Sequence, residues 1–300
     1  MTASNPPRDE FKPHPGGRPI LGGHLDSTAQ LMNRISSQLG TQLGRVSLDG
    51  TPRPAPPPLV LVGHGSRDPR ALSTVRTLME RIRELRPGLP VHLGHIELNA
   101  PLLPDTLDAL GTGDAVLVPL LLSRGQHVKR DIPAAAAAAA ARVRIAVPLG
   151  PHPLLVETLY ARLVEAGWPA HPADVDRRAS GVVLAAAGSR DPDAAVDTRR
   201  TAALLAERLG VPVVPAYASA AAPTVAHAVR ALTARGRHRI AVASYFTAPG
   251  RFATECAAAA TGIAAAPLGA HPAMARLILH RYDRTTTTPP HPSRTLATIH

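Results

Sequence analysis

The amino-acid sequence predicts an α/β protein with two tandem, related domains, each a four-stranded parallel sheet flanked by helices. Short aliphatic runs alternate with segments of helical periodicity, the connections between them are short, and the whole pattern occurs twice. Consecutive parallel strands need a crossover connection, which a helix usually supplies. The alternation therefore favours parallel sheets with helices on both faces.

The first half contains four strand–helix units. Residues 59–62 are four consecutive large aliphatic residues, a pattern typical of a strand that is buried on both faces. From Leu72 to Leu85, apolar residues then recur at helical spacing. The other predicted elements of this half are strands at 91–96, 115–122 and 143–148 and helices at 101–110, 134–141 and 154–165.

The second half repeats the first in the same order. Four sequence matches support this: GHGSRDP at 63–69 with AAGSRDP at 186–192, VHLGHIELNAP at 91–101 with VVPAYASAAAP at 213–223, LLSRGQH at 121–127 with FTAPGRF at 246–252, and LGPHP at 149–153 with LGAHP at 268–272. The order is kept and the offset stays between 119 and 125 residues. The sequence is therefore interpreted as an internal duplication.

Composition divides the chain into five segments: a Pro-rich extension at 1–57, a first α/β domain at 58–166, a linker at 167–179, a second α/β domain at 180–283 and a tail at 284–300. The extension and the tail are predicted to be disordered because they hold too few apolar residues to form a core. One short amphipathic helix, at 25–43, is expected within the extension.

Charge and hydropathy limit the kinds of partner and the cellular location that the sequence predicts. The net charge is +11, and nearly all of it comes from arginine. The arginines are dispersed without interleaved aromatic residues, which argues against a nucleic-acid partner. No apolar run is long enough to span a bilayer, the N-terminus lacks the apolar core of a signal peptide, and the single cysteine, Cys256, excludes an intrachain disulfide. These features predict a cytoplasmic protein with no nucleic-acid or membrane partner.

Three titratable residues of the first half follow three predicted strands. His64 comes after the first strand, Glu97 ends the second, and His127 lies in the loop after the third. Because the carboxyl ends of parallel strands meet at one edge of a sheet, these side chains are expected to converge. Two imidazoles and a carboxylate suit a divalent first-row metal ion, and they also suit proton transfer near neutral pH.

The duplication distinguishes residues that both halves keep, which are expected to be structural, from residues that only one half keeps, which are candidates for a catalytic or binding role. In the second half His64, Glu97 and His127 are replaced by Ala187, Ser219 and Phe252. Several glycines and prolines around them are kept. The first half is therefore predicted to retain a function that the second half has lost.

The Gly-Ser-Arg-Asp-Pro string is kept in both halves, and its main interpretation is structural. Gly65 permits a tight turn. Ser66 or Asp68 can cap the following helix, and Pro69 suits its first position. The alternative is that the backbone amides and Arg67 contact a ligand.

Three other histidines are interpreted in the same way. His152 and His271 recur before a proline in both halves and are predicted to be structural. His95 shares a strand face with Glu97, so it is either a neighbour of the site or a satisfied, half-buried histidine, and the second interpretation is preferred.

The ordered set of motifs resembles the sirohydrochlorin chelatases of the CbiX/SirB type, which are class II, ATP-independent enzymes. The resemblance rests on GHGSRDP, an Ile-Glu followed by Ala-Pro, VPLLLSRGQHVKRDIP and LGPHP. It is close over 58–166 and loose over 180–283. The family often has an aromatic residue where this chain has Ile96 and a glycine where it has Gln126. Neither difference removes a predicted metal ligand.

The resemblance implies two domains that face each other across a cleft. It implies insertion of Co²⁺ or Fe²⁺ into sirohydrochlorin without a nucleotide, in cobalamin or sirohaem biosynthesis. His64 and His127 match the metal-site histidines and Glu97 matches the acidic residue. Imidazole and carboxylate ligands accept both ions, so the choice of metal stays open. A monomer is sufficient because the two halves are fused.

Basic residues near the predicted cleft are expected to hold the carboxylates of the macrocycle, since guanidinium binds a carboxylate through two hydrogen bonds. The predicted macrocycle-contacting residues are Ser66, Arg67, Arg124, Gly125 and Lys129, with Arg130 as a further cation. The alternative is that these charges are simply solvated. The second half would supply the opposite wall, with Tyr217 or Tyr245 as candidates.

Two other functions stay open at this level. The same pocket would serve a non-catalytic carrier of a metal ion or a tetrapyrrole. A histidine nucleophile at His64 would serve phosphoryl transfer, but histidine phosphatases usually place an arginine directly before that histidine, and this chain has Gly63.

Overall fold

The structure, a computed structural model, describes residues 55–170 and 173–287. The first half contains β1 (Leu59–Gly63), α1 (Pro69–Leu85), β2 (Val91–His95), α2 (Leu103–Asp108), β3 (Asp114–Pro119), a π-helical turn (His127–Asp131), α3 (Ile132–Ala138), β4 (Arg142–Ile145) and α4 (Pro153–Glu165). The second half contains α5 (Asp174–Ala179), β5 (Ser180–Ala186), α6 (Pro192–Leu209), β6 (Val213–Tyr217), α7 (Val225–Thr233), β7 (Arg239–Tyr245), α8 (Arg251–Ala258), β8 (Ile263–Ala264) and α9 (Pro272–Thr287).

Both halves form a four-stranded sheet in which every strand pair is parallel. The strand orders are β2–β1–β3–β4 and β6–β5–β7–β8, so the two sheets have the same topology. The predicted fold class is confirmed. The two central strands, β1 and β5, are buried along their whole length, which explains why their sequences are almost uninterrupted apolar runs.

Alternate residues of each central strand face different cores. Leu61 and Leu184 belong to one large core that is shared by both halves and includes residues of α1, α4, α6 and α9. Val60 faces a separate core formed with α2 and α3. Val183 faces a third core formed with α7 and α8. Each sheet is therefore covered by helices on both faces, as the sequence predicts.

The last helix of each half packs on the other half. Helix α4 ends the first half and lies against β7 and α6 of the second. Helix α9 ends the second half and lies against β3, β4 and α1 of the first. Helical periodicity shows which face of a helix is buried, but it does not show which sheet buries that face. The sequence analysis therefore did not predict this exchange, which fuses the two halves through the shared core.

Three predicted strands are shorter in the structure. Strands β2, β3 and β4 end at His95, Pro119 and Ile145, not at 96, 122 and 148. The apolar run continues beyond β3 because Leu120 is 4% exposed although it lies outside the strand. A run of apolar residues indicates that the segment is buried, but not that it is a strand, and here the run continues into a buried loop. The alanine-rich helix begins at Ile132 and follows a π-helical turn, not an open loop.

The last described residues, 284–287, differ from the predicted tail. Helix α9 continues to Thr287, so residues 284–287 are helical although the tail was expected to begin at 284. The guanidinium of Arg144 donates to the carbonyl oxygens of Thr285 and Thr286. A tertiary contact from β4 thus extends the helix beyond the point that local composition indicates.

Several predictions concern residues at the margins of the described ranges. The short helix α5 occupies part of the predicted linker. The extension up to residue 54, with its expected helix at 25–43, and the tail from residue 288 lie outside the described residues. Among the helices of the described ranges, none has the length and apolarity needed to cross a membrane.

His152 and His271 begin equivalent helices, α4 and α9. The Nδ1 atom of His152 accepts the backbone N–H of Leu154 at 3.2 Å, and Nδ1 of His271 accepts that of Ala273 at 3.2 Å. Burial, with further contributions from Arg281 and His280, lowers the pKa of His152 to about 4. Burial also lowers the pKa of His271. Both residues therefore act as neutral helix caps, which confirms their structural interpretation.

We expect the substitution His152→Asn to reduce the loss of stability in mild acid. The folded-state pKa of about 4 lies below the ordinary value of histidine, so the unfolded chain takes up a proton first as the pH falls. This histidine therefore costs stability from about pH 6.5 downward to about pH 4. Asparagine caps a helix without titrating in this range.

The measurement is the thermal unfolding midpoint of both proteins between pH 7.5 and pH 4.5. The midpoint of the wild type should fall more steeply than that of the variant. The control His238→Asn, at an exposed position, should follow the wild type. Identical slopes for wild type and His152→Asn would contradict the role of the neutral cap.

Candidate functional site

The carboxyl ends of both sheets open onto one cavity of about 1180 Å³. The first half contributes the loops that follow β1, β2 and β3, and the second half contributes the loops that follow β5 and β7 together with the end of β6. Parallel strands place these loops at the same edge of each sheet, so the topology itself creates the cavity. Small and apolar residues form most of its wall.

His64, Glu97 and His127 all line this cavity. The ring centroids of His64 and His127 lie 4.7 Å apart, with the ring planes at 85°. The Nδ1 atom of His64 lies 3.5 Å from a carboxylate oxygen of Glu97. The three side chains are 34–52% exposed, so a ligand in the cavity can reach them. The structure thus brings together the three residues that the sequence selected.

Backbone contacts hold the first two of these residues side by side. The amide of Glu97 donates to the carbonyl oxygen of His64 at 3.0 Å, which continues the pairing of β1 with β2 beyond the strands. Gly65 has φ of 101°, and a Cβ atom there would lie 1.9 Å from the carbonyl oxygen of Glu97. Only glycine permits this close approach, because it has no side chain and tolerates positive φ.

The second half repeats this scaffold without the site residues. The amide of Ser219 donates to the carbonyl oxygen of Ala187 at 3.0 Å. A Cβ atom at Gly188 would lie 1.8 Å from the carbonyl oxygen of Ser219. The pairing of His64 with Ala187 and of Glu97 with Ser219, inferred from sequence, is therefore confirmed by equivalent hydrogen bonds.

The site offers nitrogen ligands but does not enclose an ion. Within residues 55–170 and 173–287, no group of three or more His, Cys, Asp or Glu side chains is arranged to hold a metal ion. The two imidazoles converge, and the carboxylate of Glu97 lies beside His64. Such a pair of donors leaves several coordination positions open for atoms of a ligand, the arrangement typical of sites that pass a metal on or use it in chemistry.

Asp131 is a neighbour of the site that the sequence analysis missed. Its Oδ2 atom lies 2.5 Å from Nδ1 of His127, at the other end of the same π-helical turn. A signal was present in the sequence, since a histidine and an aspartate four residues apart are neighbours on a helix.

The Gly-Ser-Arg-Asp-Pro string has the structural role that its sequence indicates. Asp68 caps α1 by accepting the amide of Arg70 at 2.9 Å, and Ser66 Oγ accepts the amide of Asp68 at 3.1 Å. Ser66 and Arg67 nevertheless line the cavity. Within the described ranges, the exposed guanidinium of Arg67 has no ion-pair partner, so it is available to a ligand.

The structure places Arg124 and Lys129, two of the predicted macrocycle-contacting residues, at the interface between the halves. Neither lines the cavity, and neither does Arg130. The guanidinium of Arg124 binds Asp197 through Nε at 3.0 Å and Nη2 at 2.7 Å, and its backbone amide donates to the same carboxylate at 2.9 Å. Asp197 is only 3% exposed.

Lys129 makes a similar contact across the same interface. Its Nζ atom lies 2.8 Å from carboxylate oxygens of both Asp191 and Asp193, and these hydrogen bonds raise the pKa of the lysine. The acidic partners lie at the start of α6 in the second half. The sequence of the first half gives no sign that Arg124 and Lys129 are ion-paired. The carboxylates that neutralise them belong to the second half and lie about 65 residues further along the chain, as in the pairing of Lys129 with Asp191 and Asp193.

Other predicted contact residues divide between the cavity and the interface. Gly125 lines the cavity and approaches Ser189 of the second half. Tyr245 belongs to both: it lines the cavity, and its buried hydroxyl donates to the carbonyl oxygen of Leu122 at 3.0 Å and contacts Thr201, so it also joins the two halves. Tyr217 lines the cavity, and within the described ranges its hydroxyl has no hydrogen-bond partner.

Two further side chains of the wall complete the description. His95 is 3% exposed, and its Nδ1 contacts the carbonyl oxygen of Pro101 at 3.2 Å, which confirms it as a satisfied buried histidine. Arg251, which the sequence analysis did not select, lines the cavity from the second half, with its guanidinium 4.6 Å from the ring of Phe252.

Comparison with known proteins finds matches in both halves of the chain. The CbiX family model matches twice, over residues 58–166 and 181–285. The sirohydrochlorin ferrochelatase of Bacillus subtilis is 30% identical over 175 residues, which cover 55% of this chain and 64% of that protein. The sirohydrochlorin cobaltochelatase of Methanococcus aeolicus is 41% identical over 78 residues, 25% of this chain and 54% of that protein. The chain thus spans between about half and two thirds of the length of these relatives.

Solved structures share the fold. SirB from Bacillus subtilis with Fe³⁺ superposes with a TM-score of 0.60 at 23% identity, covering 77% of this chain and 96% of that one. CbiX, described as the terminal enzyme for biosynthesis of sirohaem in denitrifying bacteria, gives a TM-score of 0.59 at 22% identity, covering 76% of this chain and 98% of that one. Both superpositions span the two halves.

We expect Gly65→Ala and Gly188→Ala to destabilise the protein by similar amounts. Both replacements meet a carbonyl oxygen within 2 Å and occupy positive φ, whereas the control Gly88→Ala has positive φ and open space around it. Backbone strain alone costs about 1–2 kcal/mol, and the clash adds about 1–3 kcal/mol. Urea unfolding measures these differences. A cost for Gly65→Ala no larger than that for Gly88→Ala would contradict the close approach of the two loops.

We expect Arg124→Gln to lower the free energy of unfolding, because it leaves the buried carboxylate of Asp197 without its charged partner. The control Arg67→Gln should change stability by no more than about 0.5 kcal/mol, since that arginine forms no ion pair with a described residue. Equal urea midpoints for both variants would show that the Arg124 pair does not hold the halves together.

Proposed function

The chain belongs to the CbiX family, and from this premise we propose that it inserts a divalent metal ion into sirohydrochlorin without a nucleotide. The observation that carries the proposal is the convergence of His64, Glu97 and His127 on the wall of one large cavity, in one half only. Its volume of about 1180 Å³ exceeds that of ordinary small-molecule pockets, as a macrocycle requires.

His64 and His127 bind the entering ion through imidazole nitrogens. With only two protein nitrogens on the ion, the pyrrole nitrogens of the macrocycle can enter the remaining positions one after another. The ion then leaves the imidazoles as the macrocycle completes its coordination. Borderline divalent ions of the first transition row, such as Co²⁺ and Fe²⁺, accept both imidazole and pyrrole nitrogen.

Insertion of a divalent ion releases two protons from the pyrrole nitrogens. Glu97 lies beside His64 and has the carboxylate that accepts one of them. A histidine that has released the metal accepts the other. The protons leave to solvent, so the site returns to its starting state and the charges balance.

The macrocycle itself is held by the cavity wall. Its carboxylates pair with Arg67 of the first half and Arg251 of the second, the two arginines that line the cavity. The hydroxyl of Tyr217 is a further donor. Leu98 and Phe252 present apolar surface to the ring faces. In this assignment Arg124 and Lys129 support the site from the interface and do not touch the macrocycle.

The proposal covers both cobalt and iron. Relatives with either name match the chain, and the donor set of two imidazoles and a carboxylate serves both ions. A carrier that binds the metal or the macrocycle without turnover would use the same residues. The exposed, incomplete donor set favours an ion that is released, which a carrier and an enzyme share. Formation of more than one metallated macrocycle per chain would exclude the carrier.

We expect His64→Ala and His127→Ala to reduce metal insertion to the spontaneous rate, because each removes one of two nitrogen donors. Glu97→Gln should lower the rate by about 10²-fold or more. The assay follows the absorbance of sirohydrochlorin with Co²⁺ or Fe²⁺ under anaerobic conditions, with the purified full chain.

The matched control is His92→Ala, a histidine of the same half that does not line the cavity. It should insert the metal at the wild-type rate. Full activity of His64→Ala or His127→Ala would refute the assignment of ligands. If no ion accelerates insertion above the spontaneous rate with the wild-type chain, the proposed function itself is wrong.

A further inference from the structure

We propose that Asp131 is a positioning residue for the metal site: it fixes the proton and the orientation of the His127 ring so that Nε2 faces the ion. The inference rests on the proposed function, in which His127 is a metal ligand. It rests on three observations, namely a short contact, an unusual turn and a difference between the two halves.

The contact defines which nitrogen carries the proton. Oδ2 of Asp131 lies 2.5 Å from Nδ1 of His127. A carboxylate only accepts hydrogen bonds, so Nδ1 carries the hydrogen and the electron pair of the neutral ring lies on Nε2. Without this partner the neutral imidazole would divide between two tautomers, and only one of them presents Nε2 to a metal ion.

The backbone of this segment is built around the contact. His127 and Asp131 are the first and last residues of a π-helical turn. Residues four apart on a helical segment lie on the same face, so this turn brings the two side chains together. Such turns are rare, and they frequently occur at functional sites.

The second half has lost the turn and the aspartate together. Extending the match of LLSRGQHVKRD with FTAPGRFATEC pairs Asp131 with Cys256. Cys256 is buried in α8, which is a regular α-helix. Asp131 thus joins His64, Glu97 and His127 as a fourth titratable residue that is present only in the half with the site.

No other role occupies the carboxylate of Asp131. It precedes α3 but accepts no hydrogen bond from the amides of that helix. Lys129, the nearest lysine in sequence, is bound to Asp191 and Asp193. Within the described residues, His127 is the side chain that pairs with Asp131.

The inference predicts a loss of metal affinity. Replacing the partner of a metal-binding histidine typically weakens metal binding by about 10- to 100-fold. We expect Asp131→Ala to raise the dissociation constant for Co²⁺ by this factor in the absence of the macrocycle. The KM for the metal should rise in parallel, whereas the KM for the macrocycle should stay constant. Asp131→Asn should lie between Asp131→Ala and the wild type, because the amide oxygen still accepts the hydrogen bond but carries no charge.

The experiment is a titration of the full chain with Co²⁺ in competition with a chromogenic chelator. The control is Asp108→Ala, which removes an exposed carboxylate of the same half and should not change the dissociation constant. A double-mutant cycle tests whether Asp131 acts through its neighbour: in the His127→Ala background, Asp131→Ala should cause no further loss. Circular dichroism establishes whether each variant is folded. If Asp131→Ala is not folded, the same measurements are made on Asp131→Asn, which preserves the shape of the side chain.

The outcomes separate this inference from the proposed function. Wild-type affinity in Asp131→Ala or Asp131→Asn, with a wild type that binds Co²⁺ and inserts it, would overturn the positioning role and leave the function intact. An equal loss in the presence and absence of His127 would also overturn it, because Asp131 would then act independently. A wild type that neither binds nor inserts the ion would instead refute the function.

Discussion

Asp197 is a carboxylate of the second half that is almost completely removed from solvent, and its charge is compensated by Arg124 of the first half. A buried charge without its partner is costly, so this pair favours one arrangement of the halves. Lys129 adds a second contact to the start of α6. Both cations lie within the loop and turn that carry His127. The interface therefore holds the segment that carries His127 in place, and the position of His127 depends on a half that contributes none of the three titratable residues His64, Glu97 and His127.

The fold could be predicted from the sequence because parallel sheets leave a strong signal. Strands β1 and β5 are buried on both faces and read as apolar runs, and the repeated motifs fixed the order of the units. The exchange of α4 and α9 could not be predicted. Helical periodicity is a property of the local sequence, whereas the sheet on which a helix packs is decided by tertiary structure. The helical conformation of the last described residues, 284–287, is supported by Arg144, a contact across about 140 residues that local composition does not contain.

The site was predictable to the extent that topology determines it. The convergence of His64, Glu97 and His127 follows from the common edge of parallel strands. The pairing of cations did not follow, because Arg124 finds its partner through tertiary structure. Asp131 lies four residues from His127, but this spacing indicates a contact only in a helical segment, and the sequence predicts a loop around His127 where the structure has a π-helical turn.

The exchange of terminal helices has a consequence for how the chain acquires its structure. Helix α9 covers the first sheet, yet it is the last element of the described chain to be synthesised. The first sheet therefore emerges with the apolar face that α1 shares with α9 only partly covered, and α4 emerges before the strand β7 that it contacts. Contacts of such long sequence separation form slowly because the intervening chain must first be ordered. While the first half is still bound to the ribosome, the apolar surface that α9 later covers is exposed and prone to aggregation. The second half is needed to cover this surface, so it has a role in folding before any ligand binds.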